Sequence, residues 1–129
     1  MMQSFREFDA GPDPFGRTWH VLFKWLQTAI SLRHCNSVDV KYVLTSGEEL
    51  LEKTVSMPLP ELVELAKRGS TKVNDPWCSR LAMQHLRYLV ESGEDMEKSL
   101  VTPSKDQLSS YQSVLTKWES GQVQKIRSH

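Results

Sequence analysis

The chain has 129 residues, 39% hydrophobic and 25% charged, which is the size and make-up of one globular domain able to bury a core without a metal or disulfide staple. Sixteen basic and sixteen acidic residues cancel, so no overall field draws the chain to a phosphate backbone or an anionic membrane, and neither nucleic acid nor membrane is expected as a partner. No stretch approaches the ~20 apolar residues of a membrane-spanning helix and no basic-then-apolar leader is present, so the default expectation is a soluble cytoplasmic protein with Cys35 and Cys78 as free thiols.

Residues 1–16 hold two Gly, two Pro and two Asp, which predicts an irregular N-terminal arm that Phe5, Phe8 and Phe15 can pin to the body. From Arg17 to Cys35 there is no Gly, Pro, Asn or Asp, and one long element is expected. On a helical wheel Trp19, Leu22, Phe23, Leu26, Ala29 and Ile30 share a sector opposite His20, Lys24, Gln27, Thr28 and Ser31, which narrowly favours a helix. The competing pattern is alternation at Trp19, Val21, Phe23 and Trp25, then Ile30 and Leu32 on the other parity, as two strands joined by an irregular corner would give.

Val38, Val40, Tyr42 and Leu44 alternate with more polar residues, the turn TSGEE follows, and Leu51, Lys53, Val55 and Met57 share one parity. Together they predict a β-hairpin with one mostly apolar face, on which Tyr42 and Val55 are neighbours. PLPELVELAKRG predicts a short helix, with Pro60 at its first position, Glu61 in the first turn, Lys67 and Arg68 in the last and Gly69 just beyond. A longer helix is expected from about Pro76 to Ser92, capped by Asp75 and ended by Gly93. Ser104 with Gln107 forms a capping box for a last helix through about Glu119, whose Leu108, Tyr111, Leu115 and Trp118 make a coiled-coil-like seam.

This element order predicts an α+β domain: a small antiparallel sheet built on the hairpin 38–57, extended by 18–34 if that segment is strand, with about three helices packed on one face. The domain spans 17–119, and 120–129 is a frayed tail.

Chemistry is sparsely signalled. On the 76–92 helix, Cys78 and His85 share the apolar stripe, but seven residues separate their backbones by about 10 Å along the axis, too far for one tetrahedral metal site. A four-ligand set of His34, Cys35, Cys78 and His85 matches no zinc motif, and no metal or cofactor is expected. Cys78 lies in a first helical turn, where a thiol pKa falls, yet Asp75 opposes that effect and His85 is beyond the ~3 Å reach of a base. Burial in the core accounts for both side chains more simply. No glycine-rich phosphate loop occurs, and Glu94, Asp95 and Glu97 lack a calcium-loop pattern. RTWHVLFKW interleaves basic and aromatic residues as a base-stacking platform would, but an amphipathic core element explains the same letters.

Two functional classes are therefore expected. The first is a non-catalytic protein-binding or assembly module that meets a protein partner, or itself, through the C-terminal helix, with Tyr111, Leu115 and Trp118 as anchors. The alternative is a small enzyme or ligand-binding domain with a pocket around Cys78, His34, His85 and Arg33.

Overall fold

The computed structural model describes residues 6–29 and 36–127, excepting the side chains of 29 and 117–127. In chain order it contains β1 (Glu7–Ala10), β2 (Trp19–Ala29), β3 (Ser37–Ser46), β4 (Glu49–Pro58), α1 (Leu59–Arg68), α2 (Asp75–Ser92), β5 (Leu100–Val101) and α3 (Lys105–Arg127). The five strands lie side by side in sequence order. Neighbours from β1 to β4 are antiparallel, and β5 runs parallel to β4. The fold is α+β, as the element order predicts.

The hairpin follows its alternation. Val38, Val40, Tyr42 and Leu44 on β3, and Lys53, Val55 and Met57 on β4, are buried, while the intervening side chains stay more accessible. Gly47, at φ 60°, takes the first central position of the two-residue turn between the paired Ser46 and Glu49, a conformation that matches strand twist and favours glycine. Val40 lies opposite Val55 and Tyr42 opposite Lys53, so Tyr42 and Val55 are diagonal neighbours on the inner face. Apolar stripes on α1 (Leu62, Leu65), α2 (Leu81, Ala82, Leu86, Leu89) and α3 (Leu108, Leu115) join those strand residues in one core. Phe8 and Phe23 each meet the Tyr42 ring edge to face at 6.0 Å, and the Tyr42 hydroxyl donates to the Ser79 carbonyl of α2 at 3.3 Å.

Four expectations are corrected. Residues 19–29 are a strand and not the favoured helix. The register of β2 against β3 shifts between Phe23 and Trp25, leaving Lys24 as an extra residue, so the parity switches before Trp25 and not after it as the alternative pattern has it; Ile30 and Leu32 lie outside the described residues. The arm contains a strand, because Glu7–Ala10 pairs with Trp19–Leu22 and buries Phe8 and Ala10. The cap of α2 is Asn74 rather than Asp75: its side chain accepts from Trp77 N at 3.0 Å, and Asp75 becomes the first helical residue. Finally, α3 continues to Arg127, past the end expected near Glu119 and through most of the segment read as a frayed tail. Its capping box forms as predicted, Ser104 N donating to Gln107 Oε1 and Gln107 N to Ser104 Oγ.

One polar residue is built into the inner face. Lys53 is 1% exposed, and its Nζ donates to the carbonyl oxygens of Asp95, Met96 and Lys98 at 2.7, 3.1 and 2.6 Å. Burial lowers its pKa, with Glu97 and Asp95 pulling the other way. Three donors meet three acceptors, so the ammonium closes the connection between α2 and β5. We expect Lys53→Met to lower unfolding stability by about 2 kcal/mol, since the carbonyls lose their donor. A urea midpoint equal to that of the parent chain, at equal m-value, would refute this role.

Candidate functional site

The described residues place the candidate reactive groups in the core. Cys78 faces inward from the first turn of α2 at 2% exposure, and burial, reinforced by Asp75, pushes its thiol up to about 11. His85 lies two turns further along the same stripe, and its Nδ1 shares a 2.8 Å hydrogen bond with the Tyr111 hydroxyl of α3. Burial lowers the imidazole to about 4 against the opposing pull of Asp95 and Glu94, so it is neutral at neutral pH. His34, Arg33 and Cys35 lie outside the described residues. Among the described residues no group of three His, Cys, Asp or Glu side chains is placed to hold a metal ion, and no helix is long and apolar enough to cross a membrane.

The seam of α3 turns toward the chain itself. Tyr111 and Leu115 are buried, Tyr111 against His85 with the rings 5.8 Å apart, and beside this contact Trp77 Nε1 donates to Gln112 Oε1 at 2.7 Å. Two of the three expected anchors are thus buried in the chain's own core, Tyr111 holding α3 on α2, and Trp118 lies beyond the last side chain described. An open groove of about 570 Å³ runs along α1, lined by Asn36, Leu59, Pro60, Val63, Glu64 and Lys67. Neither Cys78 nor His85 lines it.

The surface that sequence reasoning missed is the far side of the sheet. By register, one outward row runs Asp9, His20, Thr45, Leu50, the next Glu7, Leu22, Val43, Glu52, and the third Trp25, Lys41, Thr54, Leu100. Leu22 is 42% exposed, Trp25 37% and Leu50 61%, and the described helices pack on the opposite face. Trp25 is outside only because of the bulge: without Lys24 as an extra residue, the alternation from Trp19 would have turned it inward. Lys41 Nζ lies 6.0 Å from the Trp25 ring and 2.8 Å from Glu52, which it holds below the ordinary carboxylate range. His20 is bracketed by Asp9 at 3.0 Å and Glu7 at 2.8 Å, and those bonds raise its pKa. The base-stacking row suggested by RTWHVLFKW does not form, because Trp19 is buried and Phe23 packs against the core.

A buried carboxylate braces the loop between β1 and β2. Asp13 accepts from Phe15 N, Arg17 N, Arg17 Nε and Trp19 Nε1. Burial alone would raise its pKa, but those donors hold it at about 2.

Comparison with protein-family models, with curated proteins and with solved structures gave no match.

Two predictions follow from the silenced groups. With Cys35 replaced by Ser, Cys78 should react slowly with iodoacetamide at neutral pH in the folded chain and rapidly in denaturant; fast alkylation of the folded chain would restore the nucleophile. The second concerns acid. His85 titrates near 6.5 when unfolded and about 4 when folded, so its contribution is complete above 6.5 and is lost as the pH falls from 6.5 to about 4. Asp13, ordinarily 3.8 and here about 2, contributes above 3.8 and loses that contribution as the pH falls toward 2. His20 acts in the opposite sense, adding stability below 6.5 that fades as the pH rises through its raised value. Unfolding curves should therefore show His85→Gln flattening the slope between 6.5 and about 4, and Asp13→Asn flattening the slope below 3.8. Unchanged slopes in both variants would contradict the assignment.

Proposed function

We propose that the chain is a non-catalytic protein-binding module that docks through the uncovered face of its sheet. The carrying observation is the set Leu22, Trp25, Val43 and Leu50, apolar side chains on three neighbouring strands that the described helices leave open. Exposed aromatic and aliphatic residues framed by polar ones are the usual composition of an interface centre. The three long strands offer roughly 33 Å by 14 Å, about 460 Å² and little more than half of the ~800 Å² a standard interface takes from each partner, and the short β1 and β5 widen it. A compact partner fits such a patch better than an extended one.

One further observation favours binding over catalysis: Cys78 and His85 are withdrawn from solvent with their pKa values moved away from the reactive range. Tyr111 and Leu115 are buried within the fold, which moves the docking surface off the seam of α3. We infer a cytoplasmic setting, supported by a free thiol at Cys78 and a neutral overall charge.

The test is a photo-crosslinking amino acid placed in the living source cell at Leu22, or at Arg80 on the outward side of α2, with adducts identified by mass spectrometry. One identified protein joined from position 22 and not from position 80 is the expected outcome. Equal adducts from both positions, or none from either, would overturn the proposal.

A further inference from the structure

We infer that the partner of the uncovered sheet face presents a cationic segment, lysine or arginine side chains flanking an apolar anchor, and this rests on that face being the docking surface. Glu7, Asp9, Asp39 and Glu52 face outward there by register, against the cationic groups Lys41, Lys24 at the bulge, and His20, whose charged form Asp9 and Glu7 favour. The chain as a whole is neutral, so the acidic excess of this face is a local asymmetry. It also carries a donor and acceptor imbalance. Both ring nitrogens of His20 are engaged by Asp9 and Glu7, and Lys41 is drawn onto Glu52 and the Trp25 ring. An ionised carboxylate has room for about four hydrogen bonds, so each of these retains acceptor capacity after those contacts.

Charge-assisted donors are the partners that capacity fits, and Arg or Lys supplies them. The exposed Trp25 ring adds a second receptor, since an indole that already attracts Lys41 attracts any cation brought to its accessible surface. A second copy of this chain is a poor occupant, because facing two such surfaces sets carboxylate against carboxylate. An anionic membrane is disfavoured by the same sign of charge.

The experiment pans a random-peptide phage library against the immobilised full chain, with counter-selection on a Leu22→Ser, Trp25→Ser variant whose melting curve shows it folded. The expected enriched peptides carry two or more Lys or Arg around an aromatic or aliphatic residue and weaken as salt is raised. They should bind a Glu7→Gln, Asp39→Asn variant about tenfold less tightly. Enriched peptides that need Leu22 and Trp25 but are neutral or acidic would overturn the cationic partner and leave the docking face standing. Peptides indifferent to Leu22 and Trp25, or no enrichment, would overturn both. Should Leu22→Ser, Trp25→Ser fail to fold, Trp25→Ser alone serves as the counter-selection target, with the same outcomes.

Discussion

The hydroxyl of Tyr42 sits at the middle of the inner face, and the layering of the fold depends on satisfying it. A phenol buried this deeply would lose the free energy of an unmade hydrogen bond if the core were closed by apolar atoms alone. The Ser79 carbonyl provides the acceptor, which fixes how far along the sheet α2 lies. The rings of Phe8 and Phe23 pack against Tyr42 edge to face, so the same residue draws β1 and β2 into the core that α2 covers. His85 with Tyr111, and Trp77 with Gln112, extend this polar anchoring outward by one layer and hold α3 on α2.

Covering one face so completely leaves the other without cover among the described residues. An antiparallel sheet tolerates this because its alternation sends polar side chains outward, and Asp39, Lys41, Thr45 and Glu52 follow that rule. Leu22, Val43 and Leu50 do not, and Trp25 is delivered to them by the bulge. Bulges re-aim side chains at little cost to the rest of a ladder, and here one inserted residue moves an indole from the core to the surface.

Where local chemistry decided the structure, the sequence could be read closely. Alternation from Val38 to Met57 yielded the hairpin, Gly69 ended α1, although that helix starts one residue before Pro60, at Leu59 with Pro58 as its cap, Gly93 at φ 77° ended α2, and Ser104 with Gln107 started α3. Cys78 and His85 were legible as packing residues because their spacing matches a helical stripe. The largest failure has one physical source. In residues 19–29 the bulge breaks the period of two just enough for the apolar positions to mimic a helical sector, and only pairing with β1 and β3 resolves the choice. That error hid the outer face, because outward positions can be named only once the register is known. The tyrosine and leucine of α3 were readable as apolar, but whether such a seam meets its own domain or another molecule is decided by tertiary geometry.

The reach of Lys53 has a consequence for how the chain assembles. Its three acceptors lie 42, 43 and 45 residues further on, and β5, which runs parallel to β4, joins the sheet across the same interval. Contacts of such separation follow closure of a large loop, whereas the β3–β4 hairpin closes through a two-residue turn. The edge of β4 therefore stays open to other chains until that loop closes. Glu48, Glu49 and Glu52 stand at that end of the strand, and like charges there keep two newly made chains from pairing edge to edge before the ammonium finds its carbonyls.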